Sequence, residues 1–97
     1  MDEIVYLNEL FDLYGELLSD TQKKYFRDYY FDNLSYGEIA EKYNISRNAI
    51  FKQLKNGTDK LNKLEKVIGL YSRKVKLRDI IKKIDDDNIK NELIELL

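Results

Sequence analysis

Ninety-seven residues, 43% hydrophobic and 36% charged, describe one small folded domain with room for a single core of four to six helices. The absence of cysteine excludes a disulfide framework and a thiolate zinc site, and the absence of histidine removes the commonest metal ligand and general base. The net charge of −1 is unevenly laid out, with eight acids against three bases in residues 1–34, seven bases against four acids in residues 35–66, and seven bases against six acids in residues 67–97.

The chain opens on MDEIVYLNEL, acidic and without a basic stretch or a long apolar run, so neither a signal peptide nor a membrane span is expected and a cytoplasmic location follows. A first helix is predicted from about Glu3 to Leu18. Ile4, Leu7, Phe11, Tyr14 and Leu18 recur at spacings of three and four, and Leu10, Leu13 and Leu17 widen the stripe. So broad a face fits either the central helix of the core or a contact with a second subunit. Together with a long apolar seam further on, it gives the expectation of a homodimer. Ser19 and Gln22 form a capping box that opens a second helix to about Phe31, and Asp32-Asn33 breaks it.

The segment Leu34 to Leu54, LSYGEIAEKYNISRNAIFKQL, is the most informative part of the chain. Ser35 as N-cap with Glu38 three residues on makes a capping box. Ile39, Ala40 and Tyr43 then put an apolar stripe on a short helix. Asn44 tolerates the left-handed backbone of a sharp turn, Ile45 is expected to plug the corner, and Ser46 caps a second helix whose inner face carries Ile50 and Leu54. Ala40 suits a helix crossing too close for a larger side chain. This is helix-turn-helix spacing, although an ordinary corner of two helices uses similar caps.

The second motif helix keeps its seam through Ile50, Leu54, Leu61, Leu64 and Ile68. Gly57 interrupts it at a cost of about 1 kcal/mol relative to Ala, and marks either a bend or the close approach of another backbone. A long helix to about Val67 is predicted, ended by Gly69 as a left-handed cap. Ser72 is expected to cap a further helix carrying Val75, Leu77, Ile80, Ile81 and Ile84. Asp85-Asp86-Asp87 starts a last helix with Ile89, Leu93, Ile94 and Leu97. The fold class is therefore all-α, a helix-turn-helix domain with a long second motif helix and extra C-terminal helices. The single domain spans 1–97, with N-terminal helices over 1–34, the motif over 35–55 and a helical extension over 56–97.

No catalytic constellation is visible. There is no nucleophile paired with His or Cys, no Gly-rich phosphate loop and no cofactor motif. The Asp85–Asp87 triplet lacks calcium-loop spacing and reads as a solvated helix start. The eight tyrosines lie mostly at apolar helical positions, as filler of core and interface. A nucleic-acid function would fall on the start of the second motif helix, where the positive charge is centred. Ser46 and Arg47 would approach backbone and base edges, with Asn48, Lys52 and Lys55 flanking. Arg47 suits guanine and Asn48 adenine.

With the preceding TQKKYFRDYYFDN, the motif resembles region 4 of bacterial sigma factors. Phe51 and Gln53 depart from that pattern at positions where a sigma reading helix carries basic or small polar residues, and Phe51 is expected to pack against the C-terminal helices or a partner. The chain is similar more closely to the YlxM (UPF0122) group of helix-turn-helix proteins. The match is carried by LYGELLSDTQKKYF, YYFDNLSYGEIAEKYNISRNAI and IFKQLKNGTDKLNKLEKVIGLY, about three quarters of the chain. That resemblance implies an accessory or regulatory role in the signal recognition particle pathway, because such proteins are often encoded beside the particle's protein and its receptor. The candidate partners are then DNA, the particle's RNA and its GTPase protein. A sequence-specific DNA-binding regulator and a helical protein–protein adaptor are the other readings.

Overall fold

A computed structural model describes residues 2–97. Among the described residues six α-helices follow one another: α1 (Glu3–Tyr14), α2 (Asp20–Phe26), α3 (Tyr36–Tyr43), α4 (Arg47–Ile68), α5 (Leu70–Ile81) and α6 (Asp87–Glu95). No strand occurs among the described residues, and none of their helices is long and apolar enough to cross a membrane.

Asp2 starts α1 by accepting the Ile4 N–H at 2.8 Å. The helix ends four residues earlier than its periodicity predicts. Gly15–Leu17 tightens into a 3₁₀ turn, and Leu18 is extended. A Cβ added at Gly15 would lie 3.0 Å from the Phe11 ring, so any larger residue there needs the ring to shift. The tighter turn brings Leu18 into the core, and Ser19 and Gln22 then close the expected capping box. After Phe26 the helix widens into a π turn over Arg27–Phe31, with the Asp32 N–H bonded to the Arg27 carbonyl at 2.9 Å. Asn33, at φ 57°, breaks the chain before the motif.

The helix-turn-helix forms as its sequence predicts. Ser35 and Glu38 make a reciprocal capping box, Asn44 is left-handed at φ 55°, and Ser46 accepts the Ala49 N–H at 3.0 Å. Ile39, Ala40, Ile50 and Leu54 meet Tyr25 of α2 in one buried cluster. Ile45 does not plug the corner. It is 38% exposed, because Ile39 and Ile50 already fill the space between the helices. Leu7, Leu10, Phe11, Tyr14, Leu18, Phe26 and Leu61 form a second buried cluster, in which Phe11 and Phe26 stack at 4.3 Å. Full burial of one such side chain stabilises by about 1.5–3 kcal/mol. Most of the broad face of the first helix is thus taken up inside the chain, leaving Ile4, Val5 and Leu17 at the surface.

Helix α4 runs unbroken through Gly57. Gly57 is buried where α2 crosses and makes no break between two helices; a Cβ there would meet the Gln22 Cβ at 3.7 Å, an ordinary contact distance. Gly69, at φ 73°, ends α4, and α5 begins at the next residue. Ser72 therefore lies inside the first turn of α5 and does not cap it. Glu65 of α4 does so instead. Its carboxylate accepts the Tyr71 N–H at 2.9 Å and the Ser72 N–H at 3.1 Å, as well as the Tyr14 hydroxyl at 2.7 Å. The Tyr14 hydroxyl in turn accepts the Leu70 N–H at 3.0 Å. Three helices are fastened together at this point. Asp86 caps α6 through the N–H groups of Asn88 and Ile89. Among the described residues no cluster of three or more acidic side chains could hold a metal ion.

Candidate nucleic-acid interface

The outer face of α4 is positioned by what its inner face buries. Ile50, Leu54, Gly57 and Leu61 turn inward, so the intervening positions point away from the body by helical periodicity. Asn48, Lys52 and Lys55, spaced four and three residues apart, lie together on that outer face, and all three are exposed. Ser46 and Arg47 stand exposed at its N-terminal end. No acid occupies the first turn of α4. The partial positive charge of the helix start is therefore uncompensated where Arg47 adds a full charge.

Arg47 does not project freely. Its guanidinium lies over α3, where a Cβ on Gly37 would be 3.0 Å from its Nε and Nη2. Glycine at 37 thus lets the long side chain lie flat against the first turn of α3. Lys55 is held by Asp59 one turn on, at 2.9 Å, with both side chains about three-fifths exposed. An ion pair this exposed contributes about 0–1 kcal/mol, so a phosphate could displace Asp59 at little cost.

Phe51 is 46% exposed, and its ring contact is to α3 and not to the C-terminal helices. It lies one helical turn after Arg47, on the flank of α4 that faces α3, and its ring meets Tyr36 edge-on at 6.0 Å. Tyr36 stacks on Tyr29 at 4.9 Å, and Tyr29 meets Tyr30 edge-on at 4.9 Å. The result is a row of aromatic rings beside the basic helix start. The sequence places these tyrosines at apolar helical positions, as filler of core and interface, and does not show the row. The spacing of Tyr29 and Tyr30 on one helix and Tyr36 on the next carries no signal of it, because the π turn and the Asn33 break set their relative placement.

A second feature escaped the sequence. Asp28, in the π turn, is 4% exposed and accepts bonds from Lys42 Nζ at 2.9 Å and the Tyr43 hydroxyl at 2.6 Å. It ties the helix before the motif to the last turn of α3. The bond to Asp28, with burial, pushes the Tyr43 phenol above its ordinary range, and the same carboxylate raises the Lys42 ammonium. Being engaged with Asp28, Lys42 is less available than Lys52 for a phosphate.

A family profile described as "Putative helix-turn-helix protein, YlxM / p13 like" matches residues 1–97. The chain is similar to a UPF0122 protein of Listeria innocua, 38% identical over 99 residues, covering 93% of this chain and 90% of the relative. A UPF0122 protein of Halalkalibacterium halodurans is 34% identical over 101 residues, covering 100% of this chain and 93% of the relative. One from Mycoplasma capricolum is 37% identical over 89 residues, covering 92% and 79%.

Proposed function

For a chain that belongs to the UPF0122 family of YlxM/p13-like helix-turn-helix proteins, we propose a nucleic-acid-binding accessory role in the signal recognition particle pathway. It acts in the cytoplasm, as a homodimer, through the first three turns of α4. The observation that carries this reading is the Ser46-capped start of α4, along which Arg47, Asn48, Lys52 and Lys55 are all exposed. In this reading Ser46, Arg47, Lys52 and Lys55 contact phosphates and fix register. Arg47 and Asn48 meet base edges.

The test is binding to duplex DNA, to the particle's RNA and to its GTPase protein, measured against salt. Replacing Arg47, Lys52 and Lys55 together by Glu should lower the magnitude of the salt slope by about 0.9 per lost contact on duplex DNA and about 0.7 on a single strand. Preference for DNA over the particle's RNA, with a defined sequence, would favour a transcriptional regulator.

One observation supports the adaptor reading. The basic excess around the motif is small, seven bases against four acids over residues 35–66. Binding of neither nucleic acid at low salt, with retained binding to the GTPase protein, would establish that alternative in its place.

A further inference from the structure

The C-terminal helices leave more apolar surface open than a chain of this size needs. Of α5 only Ile81 is buried, and α6 buries nothing. Leu77 and Ile80 on α5 are 39% and 55% exposed, and Ile89, Ile94 and Leu96 in and after α6 are 49%, 48% and 83% exposed. The radius of gyration is 16.8 Å, against roughly 12–13 Å for a compact chain of this length. The accessible surface is 7000 Å², where a compact protein of this mass exposes roughly 5,800 Å². The difference, on the order of 1,200 Å², is more than the roughly 800 Å² that each partner buries in a standard dimer.

Charge says what covers it. Residues 70–84 carry six bases and one acid, and residues 85–97 carry five acids and one base. These charges do not neutralise one another within the chain. Among the described residues, Arg73, Lys76, Arg78 and Lys83 make no ion pair, and neither do Asp85, Asp87, Glu92 and Glu95. A surface basic at one end and acidic at the other is complementary to itself when turned about a two-fold axis.

We propose that the α5–α6 arm is the surface on which a second copy of this chain docks, the basic α5 of each copy lying against the acidic α6 of the other over a shared Leu77, Ile80 and Ile89 seam. This assignment rests on the homodimer reading and moves the contact from α1, whose face the core already uses, to the arm.

Sedimentation of the full chain tests it, at about 20 μM, where a micromolar dimer is largely assembled. The wild type should sediment as a dimer. Ile80→Glu and Ile89→Glu should each sediment as a monomer while keeping the wild-type helical circular dichroism, since both residues are about half exposed. Two charge-swapped variants sharpen the test. Arg73→Glu with Lys76→Glu, and separately Glu92→Lys with Glu95→Lys, should each weaken self-association at least about tenfold, because like charges then meet across the axis. Their equimolar mixture should recover a dimer, identified as mixed by mass. A wild type that stays monomeric overturns the homodimer reading and this assignment with it. A wild-type dimer indifferent to Ile80→Glu and Ile89→Glu overturns the arm alone. A charge-swapped mixture that stays monomeric overturns the two-fold pairing of α5 with α6.

Discussion

The α3–α4 corner and the α4–α5 corner both turn a helix sharply into the next, and they do so by different means. At α3–α4 each determinant is close in sequence to what it controls. Ser35 and Glu38 cap α3, Asn44 supplies the left-handed residue, and Ser46 caps α4. At α4–α5 only Gly69 is local. The first turn of α5 has no cap from its own N-terminal residue. Its N–H groups are satisfied by Glu65 and by Tyr14, which lies 51 residues before Glu65 in the chain. A corner built locally weakens in increments of one cap. A corner built from three helices reports whether those helices are docked, and should fail as a unit.

The largest expected effect is at Glu65. Alanine there removes the acceptor of the Tyr14 hydroxyl and of two backbone N–H groups at once. The loss should be about 3 kcal/mol in urea denaturation, from charge-assisted bonds worth about 1.5–3 kcal/mol each and partly replaced by water. Glu65→Gln, which keeps one acceptor oxygen, should lose less. A Glu65→Ala protein as stable as the wild type would mean that this corner, too, is locally determined.

Next comes Ala40, where the local corner depends on close packing. Ala40→Leu should cost about 1–3 kcal/mol through overpacking. An unchanged melting temperature would show that the α3–α4 crossing is looser than the buried Ala40 implies.

Ser46→Ala removes one cap bond and should cost about 1 kcal/mol. Hydrogen exchange should speed up at Ala49 and its neighbours and leave Tyr71 and Ser72 protected. Acceleration at both corners would erase the distinction between them.

The smallest effect at neutral pH belongs to the tyrosines. Burial and the bond to Glu65 raise the Tyr14 phenol above its ordinary value of 10.0, and the bond to Asp28 raises that of Tyr43. A folded value above the unfolded one means that the stabilisation is complete below about pH 10 and is lost as pH rises through the folded values. Stability should therefore decline in strongly alkaline solution. Tyr14→Phe should remove the part of that decline due to the α4–α5 corner and leave the part due to Tyr43. An identical alkaline profile in the Phe variant would exclude Tyr14 as its source.

Local chemistry accounts for what was legible in the chain: the capping boxes at Ser19 and Ser35, the left-handed Asn44 and Gly69, the caps at Ser46 and Asp86, and the exposure of Arg47, Asn48, Lys52 and Lys55 opposite an inner seam. Each depends on residues within one or two helical turns, so sequence alone carries the information. Tertiary packing decided the rest. Leu18 leaves the predicted first helix for a core shared with Phe26 of α2 and Leu61 of α4. Phe51 meets Tyr36 because α3 crosses α4 where it does. Asp28 is buried because a π turn aims it at α3, and Glu65 caps a helix to which Tyr14 also contributes. In every one of these cases the deciding partner lies on another element, and its distance in space is set by docked helices that no local pattern encodes.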